Sequence, residues 1–328
     1  MISYRVLKKS LVVTFCSGLL MASSSFAAAP EPGALKMGVE PWLGYGQWHV
    51  ANHYGMFKKH GLEQVAVINF AEDKDINAAL ASGQIDAANI ATHTAMGMIA
   101  AGLPIKVVLL LDQSKTADAM LTGSSIASLK DLKGKSVAYE EGTTSDILLH
   151  SALTSAGMTI KDIKPVPMPA SSAGTALIAK RVDAAVTYEP YLSVARKNDP
   201  SVHMLYSGQN DPGLISDVLV VRDEVLKNRP GQVAALIATW DDALNHYNSN
   251  TQTDRAIIAK EVGASPEDLN SAFDGVKYYT LAENKQVLGN QFSNETFQHV
   301  LKAATAAGII TTPVTAAQVI DASFVNAE

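Results

Sequence analysis

Two segments of this 328-residue chain carry the same short phrase in the same local setting. "GQIDAANIATHT" (83–94) and "RVDAAVTYEPYLS" (181–193) each place Asp-Ala-Ala at the start of a short apolar run, after an Ala- and Leu-rich segment typical of a helix. Short apolar runs bounded by turn residues are typical of buried strands. A helix and strand that occur twice in this form predict two similarly built halves.

The rest of the chain alternates strands and helices around these two units. "IKVVLLLD" (105–112) is almost wholly apolar, which indicates a strand covered on both faces and a parallel α/β sheet. After "DVLVVRDE" (217–224) the alternation stops and helical patterns dominate to the end. Strands are predicted at 35–41, 64–70, 85–91, 105–112, 162–169, 182–188, 202–208 and 217–224, and the segment 128–142 is predicted to hold a helical turn and a strand.

This pattern predicts two lobes. About 300 residues exceed one ordinary domain, so we assign residues 34–118 and 220–328 to lobe one and residues 119–219 to lobe two. Both crossings between the lobes fall in extended segments and are expected to form a two-stranded hinge. The helical C-terminal part is expected to pack as an extension on lobe one.

The N-terminus has the three-part pattern of a secretory signal peptide. Basic residues precede the apolar stretch 11–22, and Ser25-Phe26-Ala27 offers small residues for cleavage, so residues 1–27 are expected to be removed and the protein to be periplasmic. An uncleaved anchor is the alternative. The single cysteine, Cys16, lies in this segment and lacks the sequence context of a lipid attachment site.

The charge balance excludes one class of partner. Cleavage after Ala27 removes three basic residues and no acid, which leaves 23 Lys and Arg against 32 Asp and Glu, a net charge of −9. A chain this acidic is not expected to bind nucleic acid.

Four segments in order resemble a known family. "GVEPWLGYGQWHVANHYGMFKKHGLE", "ALASGQIDAANIA", "LKGKSVAYEEGTTSDILL" and "AAVTYEPYLS" are similar to solute-binding proteins of ABC importers for nitrate, sulfonate, taurine and thiamine precursors. The resemblance runs from about Leu35 to beyond Arg222. It implies the type II periplasmic-binding-protein fold, in which two α/β lobes close on a small solute, and it implies docking on an inner-membrane permease.

Candidate ligand residues lie where strands end. In open α/β sheets, ligands collect beyond the carboxyl ends of the strands, where loops and helix N-termini meet. The resemblance implies the same loops and adds the return strand near residue 217. The candidates are Glu40, Trp42, Tyr45, Thr92, His93, Ser114, Glu141, Thr143, Thr144, Tyr188, Glu189 and Asp217.

Several candidates have a structural alternative. Trp42 could cap a hydrophobic core instead of forming a ligand wall, and the hydroxyls of Thr143 and Thr144 could serve as helix caps instead of holding an oxyanion. His49 and His53 have a spacing that can bind a metal, but no third ligand is in view, and a helix-surface role is favoured.

The charge of the candidates favours a positively charged ligand. Acids outnumber bases at the strand ends, with Asp112 and Asp118 nearby and only Lys115, Lys74 and a neutral His93 against them. This inventory suits a cationic or zwitterionic solute, such as an amine or guanidine-type compound, paired with carboxylates and stacked on aromatics.

We therefore predict the extracytoplasmic solute-binding component of an ABC importer, a monomer without cofactor or catalytic residue. An oxyanion such as an alkanesulfonate, taurine or nitrate, or a thiamine-precursor pyrimidine, is the alternative ligand. An enzyme on the same scaffold is the alternative of another class, because a fungal pyrimidine synthase shares the fold. Neither a nucleophile elbow nor a paired catalytic motif is present in the sequence.

Overall fold

The computed structural model describes residues 29–326, so the predicted signal peptide at 1–27 lies outside the described residues. The strand predictions at 35–41, 64–70 and 105–112 correspond to the first, second and fourth strands. The strands are β1 Leu35–Val39, β2 Val65–Asn69, β3 Ala87–Ala91, β4 Ile105–Ser114, β5 Asp118–Thr122, β6 Ser136–Tyr139, β7 Lys164–Pro167, β8 Ala184–Tyr188, β9 His203–Ser207, β10 Ser216–Arg222 and β11 Val276–Tyr278.

Helices connect the strands and make up most of the C-terminal third. A π-helix spans Val287–Thr296 and short 3-10 turns occur at several loops, including Leu43–Tyr45. The α-helices are α1 Gly46–His53, α2 Met56–Lys59, α3 Asp73–Ser82, α4 Thr92–Ala100, α5 Thr144–Ser155, α6 Ala170–Ile178, α7 Tyr191–Asn198, α8 Asp223–Asn228, α9 Pro230–Ser249, α10 Thr251–Glu261, α11 Pro266–Leu269, α12 Leu281–Gln286, α13 Phe297–Ala306, α14 Ala316–Val319 and α15 Ser323–Asn326.

The strands form two sheets, one for each lobe. The first has the order β11-β4-β10-β3-β1-β2 and the second the order β7-β6-β8-β5-β9. Both sheets are mixed, because β10 and β11 run against the other strands of the first sheet and β5 runs against those of the second. The two-lobed α/β fold predicted from the sequence is confirmed.

The aspartate of the repeated Asp-Ala-Ala phrase accepts the same kind of backbone hydrogen bond in both lobes. The Asp86 carboxylate accepts a hydrogen bond from the Lys36 N–H at 2.8 Å, and the Asp183 carboxylate accepts one from the Ser136 N–H at 2.8 Å. In each case the aspartate lies just before one strand, and its hydrogen bond holds that strand against the start of the parallel neighbouring strand. The alanines that follow are fully buried, where small side chains let helices pack closely on the sheet.

Two short segments connect the sheets. The chain passes from β4 to β5 through residues 115–117 and returns from β9 to β10 through residues 208–215. The predicted lobe limits remain a prediction. Pairing of Ser216–Arg222 with the first sheet suggests a return a few residues before residue 220.

The helical C-terminal part packs on the first sheet and its helices. Trp48 of α1 and Trp240 of α9 are fully buried with ring centroids 5.0 Å apart, and the Trp48 indole N–H donates to Asn89 in β3 at 2.8 Å. This contact joins the N-terminal and C-terminal parts of the chain in one core. Within residues 29–326, no helix combines the length and apolar character needed to cross a bilayer.

Candidate functional site

A cavity lies between the two lobes, at the carboxyl ends of several strands. Its free volume is about 50 Å³. A water molecule needs about 10–15 Å³ of such volume, so the cavity has room for only a few. It is lined by Glu40, Trp42, Tyr45, Ala71, Glu72, Asp73, Ala91, Asp118, Glu140, Thr143, Thr144, Ser145, Ala170, Ser171, Tyr188, Ile215 and Asp217.

Six of these lining residues are acids, and none of them is a lysine, arginine or histidine. The first sheet and its connections supply Glu40 after β1, Glu72 and Asp73 at the start of α3, and Asp217 in β10, whereas the second sheet and its connections supply Asp118 in β5 and Glu140 after β6. Such a lining disfavours an anion and favours a cation.

One lining acid at the floor of the cavity, Asp217, pairs with a buried acid behind it on the neighbouring strand. Asp217 of β10 pairs directly with Asp112 of β4 in the antiparallel register, and their carboxyl groups are hydrogen-bonded to each other. The Trp42 indole N–H also points at both Asp112 oxygens, at 3.4 Å each. Burial, and then the charge of Asp217, raises the pKa of Asp112 well above its ordinary value, and burial raises the pKa of Asp217 to about 7. Like charges directly opposite on a sheet are destabilising, so this pair holds a proton at neutral pH.

A second acid pair lies at the side of the cavity. The carboxyl groups of Glu40 and Asp73 are hydrogen-bonded to each other, and Oε1 of Glu40 is buried without a donor group as partner. Burial and the neighbouring Asp73 raise the pKa of Glu40 well above its ordinary value, and burial raises the pKa of Asp73 to about 6. These two carboxyls have unused capacity to accept hydrogen bonds from a ligand.

The other three lining acids are Asp118, Glu140 and Glu72, and they differ in the hydrogen bonds and ion pairs that they already form within the protein. Burial raises the pKa of Asp118 to about 8. Glu140 accepts a hydrogen bond from the Ala170 N–H at the start of α6, at 2.8 Å. Glu72 forms an ion pair of 2.6 Å with Lys74, whose side chain is largely exposed. Within the described residues, this is the one ion pair recorded for the six lining acids.

Aromatic side chains close the cavity from both lobes. The rings of Trp42 and Tyr188 meet edge to face with centroids 6.1 Å apart, and Tyr188 meets Tyr191 in the same way at 5.2 Å. Tyr45, on the 3-10 turn, is buried and also lines the cavity. Such faces attract cations as well as apolar groups.

The hydroxyl groups beside the cavity already have structural partners. The Thr143 hydroxyl accepts from the Ser145 N–H at 3.3 Å and donates to the Glu140 carbonyl at 3.0 Å, so Thr143 is the N-cap of α5. The Ser145 hydroxyl donates to the Val186 carbonyl at 3.2 Å. The helix-capping interpretation of this loop therefore holds, while Thr144 lines the cavity without a recorded side-chain hydrogen bond in the described residues.

The structure brings seven of the twelve predicted ligand residues to the cavity: Glu40, Trp42, Tyr45, Thr143, Thr144, Tyr188 and Asp217. Two others are buried beside it. Thr92 donates to the Ser216 carbonyl at 2.9 Å, and the Ser114 hydroxyl accepts from the Asp118 N–H at 2.9 Å. Both hydrogen bonds fix strand ends close to the cavity, so these residues support its walls.

The remaining three candidates lie away from the cavity. His93 and Glu141 line a separate open depression at the junction of the lobes, and burial lowers the pKa of His93 to about 4. The Glu189 carboxylate accepts hydrogen bonds from the N–H and hydroxyl of Ser193, both at 3.0 Å, which caps α7. The peptide bond from Glu189 to Pro190 is cis. These contacts give Glu189 a structural role.

Sequence reasoning overlooked Glu72, Asp73 and Glu140 and named Asp118 only as a neighbouring acid. Asp73 follows the end of β2, so applying the strand-end rule to that strand as well would have found it. Glu140 directly precedes the chosen Glu141, and only the turn geometry decides which of the two faces the cavity.

The histidine pair on α1 does not lie on one exposed surface as expected. His49 is 6% exposed and lies 3.8 Å from the Glu261 carboxylate, whereas His53 is exposed. Among residues 29–326, no group of three or more histidine, cysteine, aspartate or glutamate side chains is arranged to hold a metal.

Comparison with known proteins identifies the family. A family profile described as "NMT1/THI5 like" matches residues 46–252, more than half of the chain. The chain belongs to this NMT1/THI5-like family. It is therefore a solute-binding protein of the sulfonate and nitrate ABC transport family, as the sequence resemblance predicted.

Two curated relatives of this family member are named as binding proteins. A binding protein of Brucella abortus is 26% identical over 236 residues, which cover 71% of this chain and 73% of the relative. An aliphatic sulfonates-binding protein of Escherichia coli is 27% identical over 259 residues, which cover 78% of this chain and 80% of the relative.

Solved structures share the fold of this NMT1/THI5-like protein. The periplasmic aliphatic sulphonate binding protein SsuA from Escherichia coli superposes with a TM-score of 0.73 at 22% identity, covering 90% of this chain and all of that one. The periplasmic nitrate-binding protein NrtA from Synechocystis superposes with a TM-score of 0.64 at 17% identity, covering 88% and 93%. At these identities the likeness concerns the fold.

Proposed function

We propose that this protein captures a small cation, such as an alkylammonium, amidinium or guanidinium compound, and delivers it to an ABC importer. The observation that carries the proposal is the lining of the cavity, with six acids, aromatic faces and no basic side chain among the lining residues. Carboxylates pair with N–H donors of a cation, and aromatic faces stabilise its charge. The small free volume favours a solute of few non-hydrogen atoms.

The transport cycle follows from the two-lobed arrangement. Acids from both lobes meet the same cavity, so a bound cation stabilises the closed form over the open one. The closed protein then docks on an inner-membrane permease as a periplasmic monomer. No catalysis is needed for this cycle.

An oxyanion is the second candidate ligand, because relatives are named for sulfonates and nitrate. The N-terminus of α5 at Thr144 is the part of the lining suited to it, and it would also accept the carboxylate of a zwitterion. The nearby carboxylates of Glu140 and Asp73 oppose an anion here. A thiamine-precursor pyrimidine would need a wider cavity, and an enzymatic role would require turnover of a bound compound.

A ligand screen tests the proposal. Thermal shift and calorimetry would compare methylguanidinium, methylammonium and acetamidinium with methanesulfonate, taurine, nitrate and an aminopyrimidine, because only ligands of the native state raise the Tm. We expect binding of at least one cation. Asp217→Asn should weaken it by about 10- to 100-fold, the effect of losing a charge-assisted hydrogen bond of about 1.5–3 kcal/mol.

The control for this variant is Asp75→Asn, an exposed acid on α3 outside the cavity, which should bind like the wild type. A Tm increase with sulfonate or nitrate and none with any cation would reverse the proposal in favour of the second candidate.

A further inference from the structure

We propose that a cation entering the cavity displaces one proton shared by Glu40 and Asp73, while the proton shared by Asp112 and Asp217 stays in place. The inference rests on the proposed capture of a cation and concerns how that capture depends on pH. It assigns different roles to two acid pairs that look equivalent in the sequence.

Each pair shares a proton because its two carboxyl groups are in hydrogen-bond contact, and because Asp112, Asp217 and the Oε1 atom of Glu40 are buried. Two ionised carboxylates at this separation repel each other, and burial disfavours the charge further. The pKa values of Glu40 and Asp112, both raised well above the ordinary value by burial first, agree with this geometry.

The groups facing each pair provide no compensating positive charge within the described residues. Beside Glu40 and Asp73, Lys74 is exposed and paired with Glu72, and on the strand next to Asp112, Lys277 is paired with Glu283. The groups that face Glu40 and Asp73 are Glu140, Asp217, Asp118, Tyr45, Tyr188 and Tyr191. Those that face Asp112 are Asp217, Asp118, Trp42, Tyr45, Tyr278 and Tyr279.

The two pairs differ in their access to a ligand. Glu40 and Asp73 both line the cavity, and Oε1 of Glu40 has no donor as partner, so the N–H groups of a cation can replace the shared proton. The proton then leaves to the buffer, and the ion pair forms without a change in net charge of the site.

Asp112 does not line the cavity and is fully buried behind Asp217. The Trp42 indole and the backbone of Gly44 cover it from the other side. A ligand therefore reaches Asp217 but not Asp112. Asp112 acts as a positioning residue, which keeps its proton and donates it to Asp217.

Calorimetry can count the displaced protons. Methylguanidinium would be titrated into the protein at pH 5–8 in buffers that differ in ionisation enthalpy. We expect release of about one proton per cation and a Kd that falls about tenfold per pH unit between pH 5 and 7, the dependence for one linked proton. Binding of the cation with no proton release would overturn this inference while leaving the proposed function intact. Absence of cation binding at every pH would instead reject the proposed function.

Two matched variants separate the pairs, because an amide imitates a protonated carboxyl group. Glu40→Gln should bind within threefold of the wild type at pH 5, at least thirtyfold more weakly at pH 7.5, and without proton release. Asp112→Asn should keep the wild-type Kd within threefold and the same proton count, whereas Asp112→Leu should lose binding. The assignment is wrong if Asp112→Asn abolishes proton release while Glu40→Gln, folded by circular dichroism, retains it.

Discussion

Asp112 and Asp217 lie directly opposite each other on two antiparallel strands, with the Trp42 indole N–H 3.4 Å from both oxygens of Asp112. The register of β4 and β10 thus brings the buried Asp112 directly behind Asp217 at the floor of the cavity. The Leu43–Tyr45 turn packs against them, so the aromatic wall and the acidic floor depend on the same few contacts.

Gly44 is required for this arrangement. A Cβ atom at Gly44 would overlap the Asp112 carboxylate and the Trp42 indole nitrogen. Gly44→Ala should therefore lower the free energy of unfolding by about 1–3 kcal/mol, as overpacking does, and weaken cation binding at least tenfold. Urea unfolding and calorimetry measure the two effects. Gly97→Ala, at a helical site with open space, is the control: it should leave binding unchanged and should not lower the free energy of unfolding, because alanine favours a helix over glycine by about 0.5–1 kcal/mol.

The ligand-free protein should lose stability as pH rises. The pKa of Asp118 is raised to about 8 in the fold by burial, so this group binds its proton more tightly in the folded than in the unfolded protein. Its contribution to stability is complete below about pH 4 and is lost as pH rises through about 8. Urea unfolding should give a free energy lower at pH 8.5 than at pH 5, by on the order of 2–4 kcal/mol.

Asp118→Asn should flatten this pH dependence, because an amide has no proton to lose. The exposed Asp75→Asn should leave it as in the wild type. Equal slopes for Asp118→Asn and the wild type would show that Asp118 does not titrate in this range.

Glu189 was chosen as a ligand residue from the sequence, but its contacts indicate a helix cap. Glu189→Ala removes the acceptor for the Ser193 N–H and hydroxyl and should lower the free energy of unfolding by about 0.5–2 kcal/mol. The Kd for a cation should change less than twofold. A tenfold weaker Kd with unchanged stability would restore the ligand role.

The contact between Trp42 and Tyr188 joins the two lobes over the cavity. Edge-to-face aromatic pairs contribute about 0.5–1.5 kcal/mol beyond burial, so Tyr188→Ala should weaken binding by about three- to tenfold. Tyr188→Phe keeps the ring and should bind like the wild type. Loss of binding in both variants would instead point to the Tyr188 hydroxyl as a ligand group.

Local sequence patterns predicted the architecture well. The repeated Asp-Ala-Ala phrase indicated two related halves, and the structure explains it by the same aspartate-to-backbone hydrogen bond at Lys36 and Ser136. Strand ends were predicted as the place of the cavity because parallel strands bring their carboxyl ends to one edge of a sheet. The family was likewise predicted from the sequence, because four segments in the same order along the chain resemble known solute-binding proteins.

The identity of the lining acids could not be predicted from the sequence in the same way. Whether Glu140 or Glu141 faces the cavity depends on one turn, and whether Glu189 meets a ligand or Ser193 depends on the chain direction after β8. The pairing of Asp112 with Asp217 joins residues more than one hundred positions apart through strand register. Chain composition determined that acids would dominate this protein, but only tertiary packing decided which acids are buried, paired and open to a ligand, because burial and proximity set their charge.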